Sequence, residues 1–85
     1  MLSTILNVVN KVIPVVGTII GVVEQIYGEG AGASKKMAYM DGVVGALQQY
    51  FPTELLRDPE FLKKLGRLAD LIIEIANYIY DKEKK

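Results

Sequence analysis

The first 28 residues obey a seven-residue repeat without exception. Set in rows of seven, four columns hold only apolar or aromatic side chains: Met1/Val8/Val15/Val22, Leu2/Val9/Val16/Val23, Ile5/Val12/Ile19/Ile26 and Leu6/Ile13/Ile20/Tyr27. The other three hold polar residues, glycine and proline, Ser3/Asn10/Gly17/Glu24 being one of them. A period of seven does not fit a strand, whose side chains alternate every two residues, so residues 1–27 are predicted to be helical. Two apolar columns suffice for a two-stranded coiled coil. Four make two seams side by side, and such a helix requires apolar neighbours on two flanks. Those neighbours are the rest of the chain, further copies of it, or lipid.

Helix propensity does not hold this segment together, because its many β-branched residues are mediocre helix formers. Packing has to. Pro14 removes one backbone donor and crowds the preceding turn, which predicts a kink or break near Val12–Pro14. Between Val12 and Val23 the apolar run is shorter than the roughly 17–25 residues that span a bilayer. Extending it backwards takes in Lys11, Asn10 and Asn7. A lysine near mid-span costs about 2.5–3.5 kcal/mol on insertion scales. The segment also lacks the basic start and small-residue cleavage site of a signal peptide, and none is expected.

The remainder reads as two more helices. Gly28-Glu29-Gly30-Ala31-Gly32-Ala33 stops the first helix and forms a loop over residues 28–33. Its glycines lack the spacing of a phosphate loop, and no strand precedes them. Ser34 is the expected N-cap of a middle helix over residues 34–51, with Met37, Met40, Val44, Leu47 and Phe51 on one face. Gly42 and Gly45 weaken this helix but let another approach it closely. Pro52 ends it. Residues 53–57 form a short turn. Asp58-Pro59-Glu60 then opens a last helix over residues 58–82, with an acidic N-cap, proline in the first turn and an acid beside it. Leu65, Leu68, Ile72, Ile75 and Ile79 make one seam; Leu62, Ala69, Ile73, Ala76 and Tyr80 make the adjoining one. Lys63, Arg67, Asp70, Glu74, Asn77 and Asp81 form the water-facing stripe. Residues 83–85 are a frayed tail.

The sequence therefore predicts a single all-α domain over residues 1–85: a small bundle of three main helices, the first kinked at Pro14, with a short connecting turn. Its first and last helices carry more apolar surface than three helices bury among themselves, which predicts an oligomer. The seam expected to mediate self-association is Ile5, Val8, Val12, Val15, Ile19, Val22 and Ile26.

Ten basic and ten acidic residues give zero formal charge, which argues against nucleic acid as a partner. With neither Cys nor His, the usual zinc, haem and iron–sulfur ligands and any His-based triad are missing. No catalytic residue, cofactor, metal or small-molecule substrate is expected. Asp70 and Glu74 stand one turn apart, but on the solvated stripe. The Met37/Met40 face reads first as core and second as a groove for a host protein. The helix-end tyrosines and Lys35-Lys36 suit a membrane flank and a soluble bundle equally.

Several segments carry a resemblance. Val22-Val23-Glu24-Gln25, then Gly28-Glu29-Gly30 and Ala33-Ser34-Lys35-Lys36, followed by a small-residue-rich amphipathic helix, resemble the LLH-type phage holins. The closing Leu71-Ile72-Ile73-Glu74-Ile75-Ala76-Asn77 is similar to the terminal helix of that family. The likeness runs mainly over residues 22–77 and implies a phage or prophage origin. The membrane-spanning start usual in the family is here interrupted by Asn7, Asn10, Lys11 and Pro14. The leading expectation is a non-enzymatic, self-associating phage-type protein, cytoplasmic or virion-associated. The alternative is a holin-like protein that permeabilises the bacterial inner membrane.

Overall fold

The structure, a computed structural model, describes residues 1–28 and 32–84, and every regular element among them is helical. The chain is all-α. One unbroken helix runs from Leu2 to Tyr27, comprising α1 (Leu2–Asn7), a π-turn (Val8–Val12) and α2 (Ile13–Tyr27). It is followed by α3 (Gly32–Leu47), α4 (Thr53–Leu56) and α5 (Pro59–Glu83).

Where a kink or break was expected near Val12–Pro14, the helix is continuous and contains a π-turn at Val8–Val12. Pro14 offers no N–H to the Asn10 carbonyl, and its ring crowds the turn before it. The chain responds by widening one turn: the Ile13 N–H donates to Val8 O, five residues back. The helix is reshaped without breaking. Helix boundaries differ from the sequence expectation elsewhere as well. Ser34 lies inside α3, which already begins at Gly32, so it is not the N-cap. Residues 29–31 of the expected loop lie outside the described residues. At the other end α3 stops at Leu47, and the Leu47 carbonyl accepts from both Tyr50 N (3.0 Å) and Phe51 N (3.1 Å), closing the chain into a turn. The segment expected as a bare turn contains a one-turn helix, α4. Asp58 is the N-cap foreseen for the last helix: its side chain accepts from Glu60 N at 2.9 Å, with Pro59 in the first turn.

α2 packs on α3 and α5, α3 packs on α5, and α4 docks on α5. The core comprises Val12, Val16, Ile20 and Val23 from the first helix, Tyr39, Val43 and Leu47 from α3, and Leu56, Leu65 and Ala69. The α2 stripe steps by four, four and three. It crosses three of the four heptad columns, because a straight helix drifts by about 20° per heptad against a seven-residue repeat. α2 and α3 come closest at Gly42, where an added Cβ would stand 2.7 Å from Ile19 Cγ2. Gly45 faces open space. Phe51 and Phe61, with ring centroids 6.3 Å apart, tie the start of α5 to the end of the α3 turn. Gly28, at φ 65°, ends α2 in a conformation that suits glycine, and its N–H bonds Glu24 O at 2.9 Å.

The radius of gyration is 13.7 Å, against about 12 Å for a compact domain of this length. The excess has a visible source: residues 1–11 and 74–84 are exposed throughout.

Candidate functional site

The largest chemical feature is an apolar surface. α1 buries nothing. Leu2 is 70% exposed, and Ile5, Leu6, Val8, Val9 and Ile13 lie between 40% and 49%. Within the most apolar stretch of the Leu2–Tyr27 helix only 17% is buried by the chain itself. An exposed apolar surface of this extent is unusual for a soluble monomer.

The expected association seam is split by the fold. Val12 lies in the core, and Val15 and Ile19 are half-buried against it. Ile5, Val8, Val22 and Ile26 remain exposed. Substituting Val15 and Ile19 by Asp would therefore damage the α2–α3 contact as well as the free surface, whereas Ile5 and Val8 test that surface alone.

The first helix contains only two charged side chains, Lys11 and Glu24, and each meets a partner from further along the chain. Lys11 Nζ lies 5.0 Å from the centre of the Tyr50 ring, a cation–π contact. Glu24 accepts from Tyr39 Oη through one carboxylate oxygen and from Lys35 Nζ, at 2.9 Å, through the other. Beside it Lys36 Nζ reaches Asp70 Oδ1 at 2.5 Å and the Gly66 carbonyl at 3.1 Å. These groups line a cleft of about 450 Å³ with Gly32, Ile73 and Asn77.

The electrostatics of this cleft are those of a clasp. The Tyr39 hydroxyl, and then Lys35, hold the Glu24 carboxyl below its usual 4.5. Burial, and then Glu24, push the Tyr39 phenol up to about 12. Both shifts move away from neutrality, opposite to the tuning that general acid–base catalysis requires. Both lysines of the cleft already face an acid, leaving no uncompensated cation for an anionic ligand.

The shifts make a pH prediction. Glu24 binds its proton less tightly when folded, so its stabilisation is present above about 4.5 and fades as pH falls through the lowered value. Tyr39 binds its proton more tightly when folded, so its stabilisation holds below about 10 and is lost as pH rises towards 12. In an alkaline titration followed by tyrosinate absorbance, the Tyr39→Phe variant should lack the phenol that ionises near pH 12. A variant whose alkaline limb matches the parent would remove Tyr39 from this clasp.

Sequence reasoning treated Tyr39 as one of several helix-end tyrosines. The available signal was Glu24, the sole acid among the first 28 residues, which on an apolar helix requires a donor. Asp70, placed on the solvated stripe, forms the ion pair with Lys36, while Glu74 is exposed. No cluster of metal-ligating side chains occurs among the described residues. Met37 is 68% exposed whereas Met40 packs against the core, so the two do not line one groove. The chain matches no protein-family model, no curated protein and no solved structure.

Proposed function

We propose that this is a non-enzymatic, self-associating helical protein, in which the three long helices form a bundle and the exposed face of the first helix assembles copies of the chain. One observation carries the reading. The folded chain exposes 6234 Å², against about 5,000 Å² for a compact monomer of its mass. The excess is of the order that one partner contributes to a specific interface. Burial of that surface is worth roughly 25 cal/mol per Å² before the costs of association are met. The resemblance to LLH-type phage holins supports a phage or prophage origin and a cytoplasmic or virion-associated setting.

A second reading rests on a different observation: the 26-residue helix Leu2–Tyr27, with a mean hydropathy of 1.8 in its most apolar stretch, is long and apolar enough to cross a membrane. In this reading the protein is holin-like and permeabilises the inner membrane. Core packing favours the first reading. Val12, Val16, Ile20 and Val23 are already covered by α3 and α5, and α5 carries exposed Lys63, Arg67 and Glu74. Drawing the first helix into lipid would strip the core or drag those charges with it.

Light scattering behind size exclusion, without detergent, decides between them. The parent is expected as a discrete soluble oligomer. The Ile5→Asp/Val8→Asp variant is expected at the 9.4 kDa of one chain, with unchanged helical circular dichroism. Parent protein that sediments with membranes and resists high salt and alkaline washing would establish the holin-like reading instead.

A further inference from the structure

The three long helices are joined differently at the two ends of the bundle. One end is that from which the exposed arm, residues 1–11, projects and where Lys11 lies over Tyr50. Its interior is apolar, with Val16 and Leu47 fully enclosed. No ion pair occurs there among the described residues, and Asp58 caps only its own helix. At the other end α2 finishes and α3 begins. Among the described residues nothing from 24 to 38, or from 70 to 84, is buried. What spans this end is polar. Two adjacent lysines of α3 reach in opposite directions: Lys35 to Glu24 on α2, and Lys36 to Asp70 and the Gly66 carbonyl on α5.

The two ion pairs are not equivalent. The side chains of Lys36 and Asp70 are 38% and 58% exposed, so protonating Asp70 leaves an ammonium that water already reaches. The Lys35 side chain is only 12% exposed. The titratable groups of the cleft are Glu24 from α2, Lys35, Lys36 and Tyr39 from α3, and Asp70 from α5. Of these, Glu24 is the one that pairs with Lys35, and it also accepts from the buried Tyr39 hydroxyl. Once Glu24 takes up a proton, its carbonyl oxygen still offers Tyr39 an acceptor. Lys35 fares worse. A lysine stays cationic in acid, and an enclosed ammonium without its counter-charge is relieved by moving it into water. We infer that this end of the bundle is an acid-opened latch: protonation of Glu24 sends Lys35 into solvent and parts α2 from α3 at Val23 and Tyr39, while the Leu47 end stays closed. Opening uncovers Ile20, Val23 and Ala69, apolar surface that is hidden at neutral pH. The latch is independent of the self-association proposed above.

Backbone hydrogen exchange read peptide by peptide tests the latch, with labelling times scaled to the intrinsic exchange rate at each pH. Between pH 7 and about pH 3, below the usual carboxylate range, the parent is expected to lose protection at least about tenfold over residues 20–27 and 35–39. Residues 12–16 and 43–47 should keep theirs. Glu24→Gln imitates the protonated acid, and is expected to show the same local loss already at pH 7. Lys35→Met removes the ammonium that has to escape, and is expected to hold its protection at that end in acid. Each of three results would overturn the latch: acid loss in the parent that is uniform over all helices, a Glu24→Gln chain as protected as the parent at pH 7, or a Lys35→Met chain that opens in acid as the parent does. The last would show that Lys35 does not drive the opening.

Discussion

Leu47→Ala is expected to lose about 2–5 kcal/mol of folding stability, the range for truncating a fully enclosed leucine. Leu47 is 0% exposed and ends α3, where the chain turns towards α4. Its carbonyl holds Tyr50 N and Phe51 N, and the substitution leaves those bonds in place. The loss therefore reports the side chain. A domain of this size has roughly 4–13 kcal/mol in total at 0.05–0.15 kcal/mol per residue, so the variant approaches unfolding at ambient temperature. Its thermal midpoint should fall by more than about 10 °C. Met37→Ala, on the same helix but exposed, should barely move. Equal midpoints for Leu47→Ala and the parent would show that the end of α3 is not part of the core.

Gly42→Leu is expected to be nearly as damaging, by crowding. A Cβ at position 42 would stand 2.7 Å from Ile19 Cγ2 and 3.5 Å from its Cδ1. Isoleucine in a helix is largely held to one χ1 rotamer, so the methyl cannot swing aside. The α2–α3 pair has to separate, at a cost of about 1–3 kcal/mol from overpacking. Gly42→Ala should cost less, since alanine's better helix propensity returns up to about 1 kcal/mol. The diagnostic variant is the double one. Ile19→Ala removes the obstructing atoms, so combining it with Gly42→Leu should cost at least about 1 kcal/mol less than the two single losses together. Strict additivity in denaturant titrations would mean that the helices do not meet there.

The features legible in the sequence were those set by local chemistry. The Asp58-Pro59-Glu60 start of α5 is self-contained: an acceptor for an orphan N–H, a residue needing no N–H, and an acid at the positive end of the helix. The Gly28 stop is equally local. Gly42 was readable as a place of close approach, although its neighbour was not. What the sequence left undetermined was the choice among equivalent columns. Four apolar columns look alike in a list, and the buried stripe Val12, Val16, Ile20, Val23 emerges only when a straight helix meets α3 and α5. For the same reason the association seam, drawn as one line through Ile5, Val12 and Ile26, divides between core and surface. The Glu24–Tyr39 contact joins residues fifteen apart across a helix reversal. No spacing rule reaches that far. Ser34 illustrates a different failure: a good capping residue is also tolerated within the first turn of a helix that has already started.

The π-turn sets an angle. Closing Val8–Val12 through a bond to the fifth residue absorbs one residue more than a regular turn, so the arm before it is rotated by about 100° relative to an uninterrupted helix of the same sequence. Pro14 withholds the donor that would draw the Asn10 carbonyl back into regular pairing. If that turn relaxed, every arm side chain would revolve together by about one residue's worth of angle while the core stripe stayed where it is. The face now formed by Ile5 and Val8 would turn to a different side of the molecule. Pro14 thus fixes the compass bearing of the arm, independently of anything that holds the body of the protein together.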